Sequence, residues 1–260
     1  MYDILHNLLE DKKGGIIFTC FGLYHLIYIL IGICITTCLI ILIKKKKIDA
    51  IKTINIVLDI AIIMYALDFF LMPLAYGEID IEKLPFHACT CMCVMSFLSR
   101  HIKKLDRFKY AFAMLGLISN MIYFFYPAGV MWHAVHPLCY RVIQTLSYHM
   151  VMMIYGLLVL IFERSCMNYK EMKYDLVVIV GMTVWALIGN WCYNGMLEGG
   201  KLYNWFFVVE DPFGIINHDI AIFIMPIITP CAFLFVTFLI YLININIKRI
   251  LIRNKTLKEK

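Results

Sequence analysis

From Ile16 to Ile43 the chain runs 28 residues without a Lys, Arg, Asp or Glu. A hydrocarbon core about 30 Å thick is crossed by about 20 helical residues, so the run is too long and too uniformly apolar for an ordinary buried helix. Six further apolar stretches follow, at 51–76, 84–99, 108–126, 138–162, 174–195 and 219–247, the one at 84–99 being the shortest. None alternates with the period of a barrel strand, and backbone groups in lipid have to be satisfied within their own segment. The expectation is an all-α polytopic membrane protein, a bundle of seven transmembrane helices in one integral membrane domain spanning residues 1–260.

The composition agrees. With 62% hydrophobic and 16% charged residues, there is too little polar surface to coat a water-soluble globule of 260 residues. The ten cysteines, at 20, 34, 38, 89, 91, 93, 139, 166, 192 and 231, fall mostly inside apolar stretches and show no loop spacing of a disulfide scaffold. Residues 1–15 carry mixed charge, and the stretch after them is too long for a signal-peptide core, so the first helix is expected in the mature protein.

A net charge of +6 raises the question of nucleic acid, but the basic residues sit in blocks at helix ends and predict topology instead. Nineteen of the 24 lie on alternate connections: Lys44 to Lys47 and Lys52; Arg100, Lys103, Lys104, Arg107 and Lys109; Arg164, Lys170 and Lys173; Lys248, Arg249, Arg253, Lys255, Lys258 and Lys260. Only Lys12, Lys13, Lys83, Arg141 and Lys201 lie elsewhere, which predicts an N-terminus outside and a cytoplasmic C-terminus. The outer loops are mildly acidic, with Glu78, Asp80 and Glu82 in one and Glu198, Glu210 and Asp211 in another, and the second also holds Gly199, Gly200, Tyr203, Trp205, Phe206, Phe207 and Pro212. The expected partners are membrane lipids, with no nucleic acid and no protein partner indicated. A chain rich in Ile and Lys suggests an AT-rich bacterial genome, hence a bacterial plasma membrane.

Polar groups inside a span cost about 3 kcal/mol for a central charge unless they face partners or a cavity, so their positions point to function. The third stretch opens Leu84-Pro85-Phe86-His87-Ala88-Cys89. Pro85 in the first turn would preorganise a helix start, where unsatisfied N–H groups favour anions, with Cys89 about one turn inside. The fifth stretch carries Arg141, Gln144, Thr145, Tyr148 and His149, whose spacing puts them on one helical stripe. Asn190 and Asn194 lie one turn apart in the sixth stretch. Asp59 and Asp68 in the second point to opposite faces, because nine residues turn through about 900°. Most of the stripe, His87 and Asn194 fall in the outer half of the membrane, which predicts a polar cavity there.

The Leu-Pro-x-His-x-Cys opening at 84–89 resembles that of a middle helix in the YwaF family of bacterial integral membrane proteins, whose eukaryotic branch is transmembrane protein 164. Pro127 closing the fourth stretch, Gln144 to His149 ending in a lone His, and Asn190 followed by Asn204-Trp205 and Pro212 are similar to that family's pattern as well. Thr90 and Trp205 depart from it, standing where Asn or Asp and Tyr are usual. The resemblance covers roughly residues 50–245. It implies a cysteine-dependent phospholipid acyltransferase in which Cys89 forms a thioester, His87 or His149 is the base, and Arg141 anchors phosphate, with Gln144, Tyr148, Asn190 and Asn194 lining the substrate site.

Blander roles stay open for the same residues: Cys89, Cys91 and Cys93 as packing groups, Arg141 as an interfacial anchor, His149 as an interhelical hydrogen bond. On a continuous helix His87 and Cys89 would lie about 200° apart, which favours His149 as the base. A metal site from His87, Cys89, Cys91, Cys93, His133 and His136 is disfavoured, since ligands two apart on a helix diverge; no metal or other cofactor is expected. The other function class is a non-enzymatic transporter or lipid-binding protein using the same cavity, with Pro73, Pro226 and Pro230 breaking the second and seventh helices.

Overall fold

The structure, a computed structural model, describes residues 15–77, 79–131, 134–164, 167–194 and 202–258. Lys12, Lys13, Glu78, His133, Cys166, Glu198, Gly199, Gly200, Lys201 and Lys260 lie outside the described residues, as do the side chains of Lys248, Arg249, Arg253, Lys255 and Lys258. Among the described residues there are seven α-helices and no strand: α1 (Leu23–Lys44), α2 (Ala50–Tyr76), α3 (Ala88–His101), α4 (Lys109–Phe125), α5 (Tyr140–Leu158), α6 (Met172–Tyr193) and α7 (His218–Lys258). Six of them, all but α3, are long and apolar enough to cross a membrane. The 14 residues of α3 rise only about 21 Å, short of a hydrocarbon core.

Local chemistry sets the helix ends. Asp49 caps α2 by accepting from the Lys52 N–H at 2.7 Å, and Gly77 closes it with φ 75°. The first helix starts seven residues later than the apolar run, because Phe21 adopts φ 56° and Phe18 is tied to the Val135 carbonyl at 2.9 Å. Pro85 lies ahead of α3 rather than in its first turn: His87 is the N-cap residue with an extended backbone, so Cys89 is the second helical residue. The helices run through Pro73, Pro226 and Pro230, contrary to the expected breaks, and α7 continues past residue 247 to Lys258. A π-helical turn, Val159–Glu163, extends α5, and the Arg164 N–H donates to the Val159 carbonyl at 2.8 Å.

Helix α4 is the axis of the bundle and packs on α3, α5, α6 and α7. Every residue from Ala111 to Ile118 is buried, the mark of a helix covered on all sides. Helix α1 lies at the edge. Of its residues only His25, Gly32, Thr36 and Ile43 are buried, at spacings of seven, four and seven; Tyr24, Tyr28, Ile29, Leu39 and Ile40 pack partly against the core, and most of its other apolar side chains face outward. The fully buried His25 fastens it: Nδ1 accepts from the Phe21 N–H, leaving Nε2–H to donate to the Phe124 carbonyl, each at 2.9 Å.

Alternate helix ends collect together. The basic end joins the C-termini of α3 and α5, the N-termini of α4 and α6, and α7. There Glu163 takes a bidentate bond from Arg100 at 2.7 and 3.0 Å, while its neighbour Arg164 reaches the other way to Asp175, Glu171 and Tyr241. Tyr241 also donates to Asp175 at 2.6 Å. The candidate site lies at the opposite end.

Candidate functional site

Helices α2, α3, α4 and α5 meet around a polar cluster at this end. Its centre is His149 on α5, which is only 5% exposed. Its Nδ1 lies 2.8 Å from the Asn120 Oδ1 on α4, and its ring stacks on Tyr123, with centroids 4.0 Å apart and planes 20° apart. The next residue, Tyr148, donates to the Cys89 carbonyl at 3.1 Å and so ties α5 to the first turn of α3. His87 and Lys83 both lie within electrostatic reach of His149, and Lys83 also of Cys89.

The connection between α2 and α3 is clamped over this cluster. Lys83 pairs with Asp68 at 2.5 Å, Tyr140 donates to the other oxygen of the same carboxylate at 3.3 Å, and Tyr65 donates to the Lys83 carbonyl at 2.8 Å. Asp68 is thus buried with both oxygens in use, whereas Asp59 is exposed, so the two do point to opposite faces. A carboxylate buried without partners would cost several kcal/mol; here a cation and a phenol satisfy it.

The segment before α3 is held from behind by α6 and the loop after it. Trp185 donates to the Pro85 carbonyl at 2.8 Å, and the Phe86 ring lies between Trp185 and Trp205, with centroids 4.9 Å from each. Asn190 fixes Trp205 by a reciprocal pair, accepting from its N–H at 3.0 Å and donating to its carbonyl at 3.2 Å. Asn194 accepts from the Tyr203 N–H at 2.6 Å, and Asn204 closes the loop on residues 209 and 210.

The residues singled out by sequence therefore divide. Cys89, His87, Tyr148 and His149 lie at one end of the bundle, and Arg141, in the first turn of α5, lies at the same end. Gln144 is half-buried one turn from Tyr148, near Thr145. The amides of Asn190 and Asn194 are instead taken up by loop backbone. Because residue 87 is outside the helix, the 200° separation expected between His87 and Cys89 does not apply. Cys93 is fully buried beside Tyr148, and Cys91 packs on the α4–α6 side. Among the described residues no three His, Cys, Asp or Glu side chains come together as metal ligands.

Asn120, Tyr123, Tyr65 and Tyr140 join the cluster without having been picked out, and Asp68 and Lys83, which the sequence shows only as separate charges, join it as an ion pair. Of the first four only Asn120 left a trace in the sequence, as a lone amide in an otherwise apolar run. No family model, curated protein or solved structure matches the chain.

Proposed function

We propose that the chain is a YwaF-type integral membrane protein that transfers acyl chains between phospholipids, crossing a bacterial plasma membrane seven times with its N-terminus outside. What supports this reading is that the first turn of α3, which carries Cys89, is bonded by Tyr148, the neighbour of the buried imidazole of His149, with Lys83 within electrostatic reach of both. Only a thiol among these groups becomes a strong nucleophile on losing its proton, and imidazole is the group suited to take and return that proton near neutrality.

In the proposed reaction His149 takes the Cys89 proton as the sulfur attacks an ester carbonyl carbon of the donor lipid. The carbon–oxygen ester bond breaks, and the departing lysolipid oxygen receives the proton from His149. An acceptor hydroxyl then gives its proton to His149 and attacks the thioester, and the proton returns to the Cys89 sulfur. Proton and acyl group are both conserved, so no cofactor enters. Arg141 supplies the positive charge for a lipid phosphate, Lys83 being already paired with Asp68.

Intact-protein mass spectrometry after incubation with phospholipid tests the reading. The expected result is a hydroxylamine-sensitive acyl adduct on wild type that is lost in Cys89→Ser and His149→Ala. No adduct, with lipid still bound reversibly, would overturn acyl transfer and make the cluster a lipid-binding or transport site.

A further inference from the structure

Asn120 is fully buried on α4, and its two amide atoms have separate partners. Nδ2 donates to the Gly116 carbonyl at 2.7 Å, and Oδ1 faces the His149 Nδ1 at 2.8 Å. The amide has one sensible orientation. Turned over, it would set its oxygen against the Gly116 carbonyl oxygen at that same distance, two acceptors with no proton between them. With Oδ1 toward the imidazole, the contact is a hydrogen bond only if Nδ1 carries the proton.

We infer that Asn120 is a positioning residue that holds His149 as the Nδ1–H tautomer and leaves Nε2 with the free lone pair. Tyr123 completes the device. Stacked on the imidazole face, it resists rotation of the ring about the axis that the Asn120 bond leaves free. Nε2 is then the atom that takes the Cys89 proton, a role that rests on the acyl-transfer reading; the tautomer itself does not depend on it. A His in the other tautomer would present an N–H where a base is needed.

The test uses full-length protein in nanodiscs, labelled with 15N-histidine. Long-range proton–nitrogen spectra distinguish protonated from unprotonated ring nitrogens, and a His149→Gln sample identifies the His149 signals. Wild type should show a protonated Nδ1 and an unprotonated Nε2. Asn120→Leu, which removes the acceptor, should shift His149 toward the Nε2–H form and slow adduct formation, by roughly ten- to a hundredfold. Asn120→Asp mimics the amide in its neutral acid form, the O–H donating to the Gly116 carbonyl and the C=O facing Nδ1, and should restore the wild-type tautomer and most of the rate.

A protonated Nε2 in wild type, or an unchanged tautomer in Asn120→Leu, overturns the inference. Should the Leu variant not fold, the wild-type and Asp spectra decide. An adduct absent from every protein alongside the expected spectra would instead sink acyl transfer and leave the positioning role in place.

Discussion

At Gly189 a methyl group added to the backbone would stand 2.4 Å from the Phe86 ring. Phe86 has little room to give, because Trp185 and Trp205 flank it. Gly189→Ala should therefore cost about 1–3 kcal/mol by overpacking, read as a lower thermal midpoint in detergent. The ring precedes His87, so the displacement should also slow adduct formation more than the loss of stability explains. A residue outside the cluster thus governs its shape, and nothing in the sequence marks Gly189 as different from the chain's other glycines. Asn120 and Asp68 show in the sequence only as lone polar residues in apolar runs. The stripe from Arg141 to His149 was legible because five polar residues recur at helical spacing, whereas a single Asn or Asp has no internal pattern and acquires meaning only from the helix that meets it.

Helix α7 is fastened to the bundle through Tyr241, whose buried hydroxyl bonds to both Asp175 and Arg164. Tyr241→Phe removes that link and should destabilise the protein by about 1–3 kcal/mol. Arg164→Met leaves Asp175 buried without its cation and should cost more, roughly 3–5 kcal/mol. Denaturation in mixed micelles, comparing the two variants, checks the order. The limits of these helices were readable where capping chemistry sets them: α2 lies within one residue of its apolar stretch, with Asp49 and Gly77 at its ends. They were not readable where apolarity continues through non-helical backbone, as at 16–22, or where a polar extension stays helical, as in α7. Arg164 itself reads from sequence as one more charge in a basic connection, and only the packing of α5 against α6 and α7 shows it buried at 5% exposure.

Across the whole molecule, large apolar side chains cover the outside of α1, α2, α6 and α7, while buried polar groups concentrate at two opposite ends. That arrangement suits a bilayer, in which the outward face needs no polar coat and interior polar groups must find one another. The proposed orientation follows from charge at the basic end. A C-terminal green fluorescent protein should fluoresce in cells, and alkaline phosphatase should be active when joined in the connection between α2 and α3 but silent between α1 and α2. The reverse pattern would invert the protein and put the thiol cluster on the cytoplasmic side. Within the basic end, Glu163 and Arg164 are consecutive residues, yet one holds α3 and the other holds α6 and α7. That division depends on the Val159–Glu163 turn being wound as π-helix. Rewinding it as ordinary α-helix with every residue kept would swing both side chains by roughly 100°, carrying Glu163 away from Arg100 and Arg164 away from Asp175. The turn therefore works as a slack link that takes up one residue without passing its rotation on, and a chain one residue shorter there, with an unbroken helix, would present the same two side chains to the same partners.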